Sequence, residues 1–223
     1  MTAKSIHGNS PEEIRLALEQ SLSDDFTPTL AIVFISIKQD RKAVSTMLDK
    51  MGIDVIGATS AGEFTDGHQS EGASVIMLLD IPKEEYSIFF ETIGDGSSEV
   101  TARQLGEVAL RQFNHPAIIF CSTFLSAEGI AIDGETLMRN IENVVGSQVN
   151  IFGGMAGDDL SFTGSYVFTN NDATDYGLVA LIVDADKIAM QGMAISGWKP
   201  MGISRTITKS EGNLIYTIDD KPA

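Results

Sequence analysis

Cysteine is almost missing from this chain of 223 residues, in which Cys121 stands alone. No internal disulfide and no multi-cysteine zinc set can form, and a lone thiol suits a reducing, cytoplasmic setting. Histidine is scarce as well: His7, His68 and His115 are the complete set. Positive charge is in short supply, with 15 Lys and Arg against 31 Asp and Glu for a net charge of −16. Such a chain repels phosphate backbones and anionic lipid, so nucleic acid is not an expected partner. No apolar run approaches the roughly 18 residues of a membrane span, and MTAKSIHGNSPEE lacks a signal-peptide core. Membrane insertion is therefore not expected. Only six prolines are present, and no Pro/Ser-rich linker or charge block divides the chain.

What the chain does have is 43 % hydrophobic residues, enough at this length for a sizeable core, and a segment that reads as though used twice. Val55-Ile56-Gly57-Ala58-Thr59-Ser60-Ala61-Gly62-Glu63 and Asn150-Ile151-Phe152-Gly153-Gly154-Met155-Ala156-Gly157-Asp158 each break from an apolar run into small residues and close on an acid. Gly72 to Asp80 likewise parallels Gly177 to Asp184, and Tyr86 to Gly94 parallels Ile188 to Gly197. Glycine at a strand end lets backbone approach something closely. Two such ends suggest a paired site.

Periodicity sorts the remainder. Ser10-Pro11-Glu12-Glu13 opens a helix carrying Ile14, Leu18 and Leu22 on one stripe. Leu30 to Ile37 reads as a central strand buried on both faces. Asp40 caps a helix with Val44, Met47, Leu48 and Met51 inside and Gly52 as its stop. Strands at 54–58, 73–80 and 86–93 follow, the last two bending at Pro82-Lys83. The second half repeats the order: a helix near 98–113, a strand at 117–121, a helix from Asp133 to Gly146, then strands at 149–153, 165–169, 177–184 and 188–196. A final hairpin fits 203–208 and 213–218, turning at Glu211-Gly212-Asn213. The expected fold is α/β, with mixed β-sheet or sheets flanked by helices and two similar β-α-β-β-β halves from an internal duplication. The halves would span about 28–94 and 115–197 within a single module, 1–223, ending in a hairpin at about 203–218. Successive strands without a helix between them are expected to pair antiparallel. The N-terminus around His7 is expected to be loose.

Few stretches suit chemistry. Ala58-Thr59-Ser60-Ala61-Gly62 is an A-x-S-x-G version of the nucleophile elbow, and His68 is the nearest histidine. An elbow runs into a helix, however, whereas Glu63 to Gly72 is polar and glycine-bearing. Gly153-Gly154-Met155-Ala156-Gly157 lacks the Lys-Ser/Thr ending of a phosphate loop, and Asp158-Asp159 would repel a phosphate. Glu63, Asp158 and Asp159 could instead meet an ammonium group or a hard metal such as Mg²⁺, or simply cap turns. The expectation is an ammonium, with no metal and no cofactor. Trp198 could roof a pocket or anchor its own loop. Met47, Met51, Met138 and Met190 read as packing, and Cys121 as buried and inert. The loop from Ser122 to Asp133 leaves a strand's C-terminal end, a usual place for a ligand in an α/β sheet.

Taken together, Ile56 to Glu63, Phe152 to Asp159, Gly197-Trp198-Lys199-Pro200-Met201-Gly202, Thr206 to Asn213 and Asp219 to Ala223 resemble the FIST family in that family's order. This is a sensory domain shared by bacterial signalling proteins and certain F-box proteins. In the usual form a cysteine precedes the Thr/Ser of the first turn; Ala58 stands there, which excludes a thiol role. The resemblance implies a small-molecule sensor for amino acids or their derivatives. Its expected partners are a FIST C-terminal companion module, which normally continues past Pro222-Ala223, and a signalling output domain or protein. On this basis the expected protein is a non-enzymatic sensory domain, with Thr59, Ser60, Glu63, Gly153, Gly154, Gly157, Asp158, Asp159 and Trp198 around the ligand. A serine hydrolase using Ser60 and His68, and an interaction scaffold without a small-molecule pocket, are the alternatives.

Overall fold

The computed structural model describes residues 1–22, 25–93, 97–126, 128–193, 197–211 and 214–223. They form two compact units, Met1–Gln191 and Gly192–Ala223. In the first, β1 (Thr2–Gly8), α1 (Pro11–Ser21), β2 (Leu30–Ser36), α2 (Arg41–Lys50) and β3 (Asp54–Ser60) lead into a small hairpin, β4 (Glu63–Thr65) and β5 (His68–Ser70), and then β6 (Ser74–Asp80). A single 3-10 turn, Lys83–Glu85, precedes β7 (Tyr86–Thr92), α3 (Ser98–Gln112), β8 (Pro116–Ser122), α4 (Gly134–Val145) and β9 (Ile151–Met155). Two short strands, β10 (Val167–Phe168) and β11 (Ala173–Thr174), and the long β12 (Gly177–Asp184) complete it.

Two mixed sheets result, ordered β1-β6-β2-β3-β10-β11 and β7-β12-β8-β9. Within each, one helix-connected pair runs parallel, β2 with β3 and β8 with β9. The antiparallel partner of β2 is β6, and that of β8 is β12. Strand alternation then builds four layers. Ile14 and Leu18 of α1 and Val44 and Leu48 of α2 pack on Ala31, Val33, Ile35, Ile76 and Leu78. The opposite face of that sheet, with Leu30, Ile56, Ala58 and Val167, meets Ala117, Cys121, Val179, Leu181 and Val183 of the second. The outer face of the second sheet, with Ile118, Phe120, Ala180 and Ile182, is covered by Leu105, Ala109, Leu137 and Ile141 of α3 and α4. The order is helices, sheet, sheet, helices.

The caps act as the sequence predicts. Ser10 Oγ accepts the Glu13 N–H at 3.2 Å, Asp40 the Ala43 N–H at 2.9 Å and Asp133 the Glu135 N–H at 3.1 Å. Gly52 and Gly146 take φ of +72° and +88° just after α2 and α4, a region that disfavours any side chain.

Several expectations are corrected. The N-terminus is not loose: β1 pairs along its whole length with β6, His7 opposite Val75. The successive strands β6 and β7 do not pair, because Pro82 and the 3-10 turn carry the chain from one sheet to the other. Only Val167–Phe168 of 165–169 is strand, and residues 188–193 form none, while 194–196 lie outside the described residues. Tyr86 accordingly opens a strand of the second sheet. Met51, just past α2, and Met138, within α4, are exposed and not packed inside.

In the second unit, β13 (Ile207–Glu211), β14 (Leu214–Ile218) and β15 (Lys221–Pro222) form one antiparallel sheet. Its first strand starts later than the expected 203, and the turn residues Gly212 and Asn213 lie outside the described residues.

Candidate functional site

Strands β3 and β9 belong to different sheets, yet the turns at their C-terminal ends touch. The Gly157 N–H donates to the Thr59 carbonyl at 2.8 Å, and the Asp159 N–H to the Ser60 carbonyl at 3.1 Å. Gly157 has to be small for this contact: a Cβ there would lie 2.9 Å from the Ala61 nitrogen and 3.0 Å from the Ala61 Cβ. Thr59 is held from its other side by β10. Its N–H donates to the Tyr166 carbonyl at 2.8 Å, and its hydroxyl oxygen accepts the Tyr166 N–H at 2.8 Å.

Each acid has a separate set of partners. Glu63 is buried; one oxygen accepts the Ser60 hydroxyl at 2.6 Å and the other the Ala73 N–H at 3.1 Å. Asp158 accepts the Thr163 N–H at 2.7 Å and the Gly164 N–H at 3.2 Å, so it closes its own loop. Burial pushes its carboxyl up, but the N–H groups of Thr163, Gly164 and Phe162 and the Ser161 hydroxyl outweigh this and hold it below the ordinary aspartate value. Asp159 accepts the Ser36 hydroxyl at 2.5 Å, and the Lys38 ammonium stands 3.6 Å away. The Asp159 side chain is 8 % exposed and that of Lys38 71 %. In the same loop Asp159, Leu160 and Phe162 all take positive φ near +55°, a conformation that costs a non-glycine residue on the order of 1 kcal/mol or more.

The fold thus brings Thr59, Ser60, Glu63, Gly157, Asp158 and Asp159 to one border of the stacked sheets. Gly153 and Gly154 stand just before it on β9. A Cβ on Gly153 would fall 2.1 Å from the Phe120 carbonyl oxygen, so that glycine serves strand packing, whereas Gly154 faces open space. Trp198 belongs to the second unit and is 91 % exposed. The Ser60 hydroxyl points to Glu63, and the His68 ring packs 5.2 Å from the His7 ring. Among the described residues no hydrogen bond joins Ser60 to His68. Cys121 is buried between the sheets, which pushes its thiol up to about 11.

Sequence reasoning missed Ser36 and Lys38. Their signal was a serine, followed by a lysine, closing the Leu30–Ile37 apolar run at the C-terminal end of a parallel strand. The Ser122 hydroxyl, at the equivalent end of β8, is buried with no hydrogen-bond partner, which marks the start of the expected ligand loop as polar.

The FIST N domain family matches residues 29–221, nearly the whole chain and both turns. The chain belongs to the FIST family. FIST domains are sensory, ligand-binding signalling domains. Comparison with curated proteins gives no match. The FIST match begins one residue before β2, so β1 and α1 precede it, although both pack into the first sheet. No helix among the described residues is long and apolar enough to cross a membrane.

Proposed function

We propose that this FIST domain is a non-enzymatic cytoplasmic sensor for a small ammonium-bearing ligand, an amino acid or a derivative of one. The observation that supports this is the meeting of the two turns, with Asp159 beside the hydrogen bonds that join them. Asp159 is the one acid of the three whose charged neighbour is a solvent-exposed lysine at 3.6 Å. A ligand ammonium can take the place of that lysine without uncovering a buried charge, since one cation replaces another beside the same carboxylate. Glu63 and Asp158 then shape the surroundings, the first by fixing Ser60 and the second by closing the 158–164 loop. Gly154, with nothing where a side chain would stand, leaves room for the ligand's backbone-like atoms, while Gly157 lets the two turns meet.

Binding there would bias how the two sheets meet, because Thr59 and Ser60 end one sheet and Gly157 follows the edge of the other. The FIST C-terminal companion and a signalling output domain or protein are the partners that would read this change.

A thermal-shift screen of the twenty amino acids and common polyamines tests the proposal, since a ligand that binds the folded state raises its Tm. At least one should stabilise the domain, Asp159→Asn should abolish the shift, and Lys38→Ala should enlarge it by removing the competing ammonium. A shift that Asp159→Asn leaves unchanged would remove this residue from the site.

A further inference from the structure

A second site lies on the other side of Tyr166, where the N-terminal half of α2 faces the turn between β10 and β11. A cleft of about 350 Å³ opens there, walled by Arg41, Lys42 and Ser45 of the helix and by Asn170, Asn171 and Asp172 of the turn. We propose that this cleft binds a compact oxyanion, a carboxylate or a phosphate group, through Arg41, Lys42 and Ser45.

Arg41 is already placed for that role. Its guanidinium carbon sits 3.8 Å from the centre of the Tyr166 ring, a cation–π contact that consumes none of its N–H donors. In a chain with 31 acids and 15 bases, an arginine would be expected to find a carboxylate. Arg15, Arg139 and Arg205 do, whereas Arg41, like Arg103 and Arg111, has no ion pair among the described residues. Lys42 has none there either, so Arg41 and Lys42 put two uncompensated cations on one short stretch of an acidic protein.

Ser45 supplies an independent sign. It is only 5 % exposed as a residue and lines the cleft one turn along the helix from Arg41. A hydroxyl on the wall of a cleft that also carries two cations is a ready donor to an anion. The wall opposite is fixed: the Asn170 side chain accepts the Val55 N–H at 2.8 Å and donates to the Ile53 carbonyl at 2.8 Å. Asn171 is exposed and offers a further amide. Asp172 is the one carboxylate on the rim and opposes binding. The Arg41 fork suits the paired oxygens of a carboxylate or phosphate, and the cleft admits a small group and not a polymer.

The proposal stands apart from the ammonium reading of Asp159, because the probes carry no ammonium. Inorganic phosphate and acetate would each be titrated into the purified chain at low ionic strength, followed by calorimetry and by the backbone amide shifts of Ser45 and Asn171. Saturable binding is expected for at least one; which of them binds tells a phosphoryl ligand from a carboxylate. Arg41→Gln should weaken it at least tenfold, Arg41→Lys less, and Asp172→Asn should tighten it, while Arg111→Gln on α3 leaves it unchanged. Ser45→Ala, which removes one oxygen and keeps the helix, should weaken it as well and serves if Arg41→Gln perturbs folding. Two results would overturn the proposal: no saturation by either probe below about 10 mM, or equal saturation in Arg41→Gln and Arg111→Gln, which would mean an adventitious ion only.

Discussion

Glycines that look alike in the sequence differ sharply once their neighbours are known. At Gly57 a Cβ would meet the Phe168 ring at 2.3 Å, and at Gly157 it would meet Ala61, whereas at Gly154 nothing lies within 4 Å. Gly57→Ala should therefore cost about 1–3 kcal/mol through overpacking, partly restored when Phe168→Leu is added, as read by urea unfolding. Gly154→Ala should shift the same midpoint little. Asp158 supplies a pH prediction. Its carboxyl is held below the ordinary value, so its stabilising effect is full above 3.8, the unfolded value, and fades as pH falls through the lowered folded value. Asp158→Asn should lower stability at neutral pH and flatten the acid limb of a stability–pH profile. A profile identical to that of the unmutated chain would show that the loop does not depend on this charge.

Among the elements, the four helices were legible because each carries an apolar stripe, three of them open on a cap recognisable in the sequence, and α2 and α4 also close on a glycine. Asp133→Ala should accordingly destabilise by about 1 kcal/mol, measurable as a loss of Tm with the fold retained. The strands around 165–174 were harder to read. β10 is two residues long and owes its place to pairing with Ala58 and Gly57 of β3, more than a hundred residues earlier, and no local pattern reports such a partner. Its importance is out of proportion to its length. It clamps Thr59, fills the space above Gly57 and leads into the Asn170 wall of the oxyanion cleft. Thr59→Val keeps the shape but removes the acceptor for the Tyr166 N–H, a buried loss of about 1–3 kcal/mol, and amide exchange should quicken at Tyr166 before it does at β12.

At the scale of the first unit, β1-β6-β2-β3 of one sheet and β7-β12-β8-β9 of the other run in the same relative directions, and the sheets are stacked through the core that holds Cys121. A ligand at the joined turns should then slow amide exchange in β3 and β9 together, although they lie in separate sheets. Slowing confined to one of them would mean that the turns do not act as one site. The sequence by itself determined the four helices, the long strands, the acidic charge and the family, because periodicity, capping and motif order are local properties. Only the tertiary structure decided that β6 and β7 part into different sheets, that the twin turns hydrogen-bond to each other, and that Glu63 and Asp158 are engaged by their own loops while Asp159 faces Lys38. These outcomes depend on which distant backbone groups are left to be satisfied when two sheets stack, and a linear pattern of residue types does not carry that information.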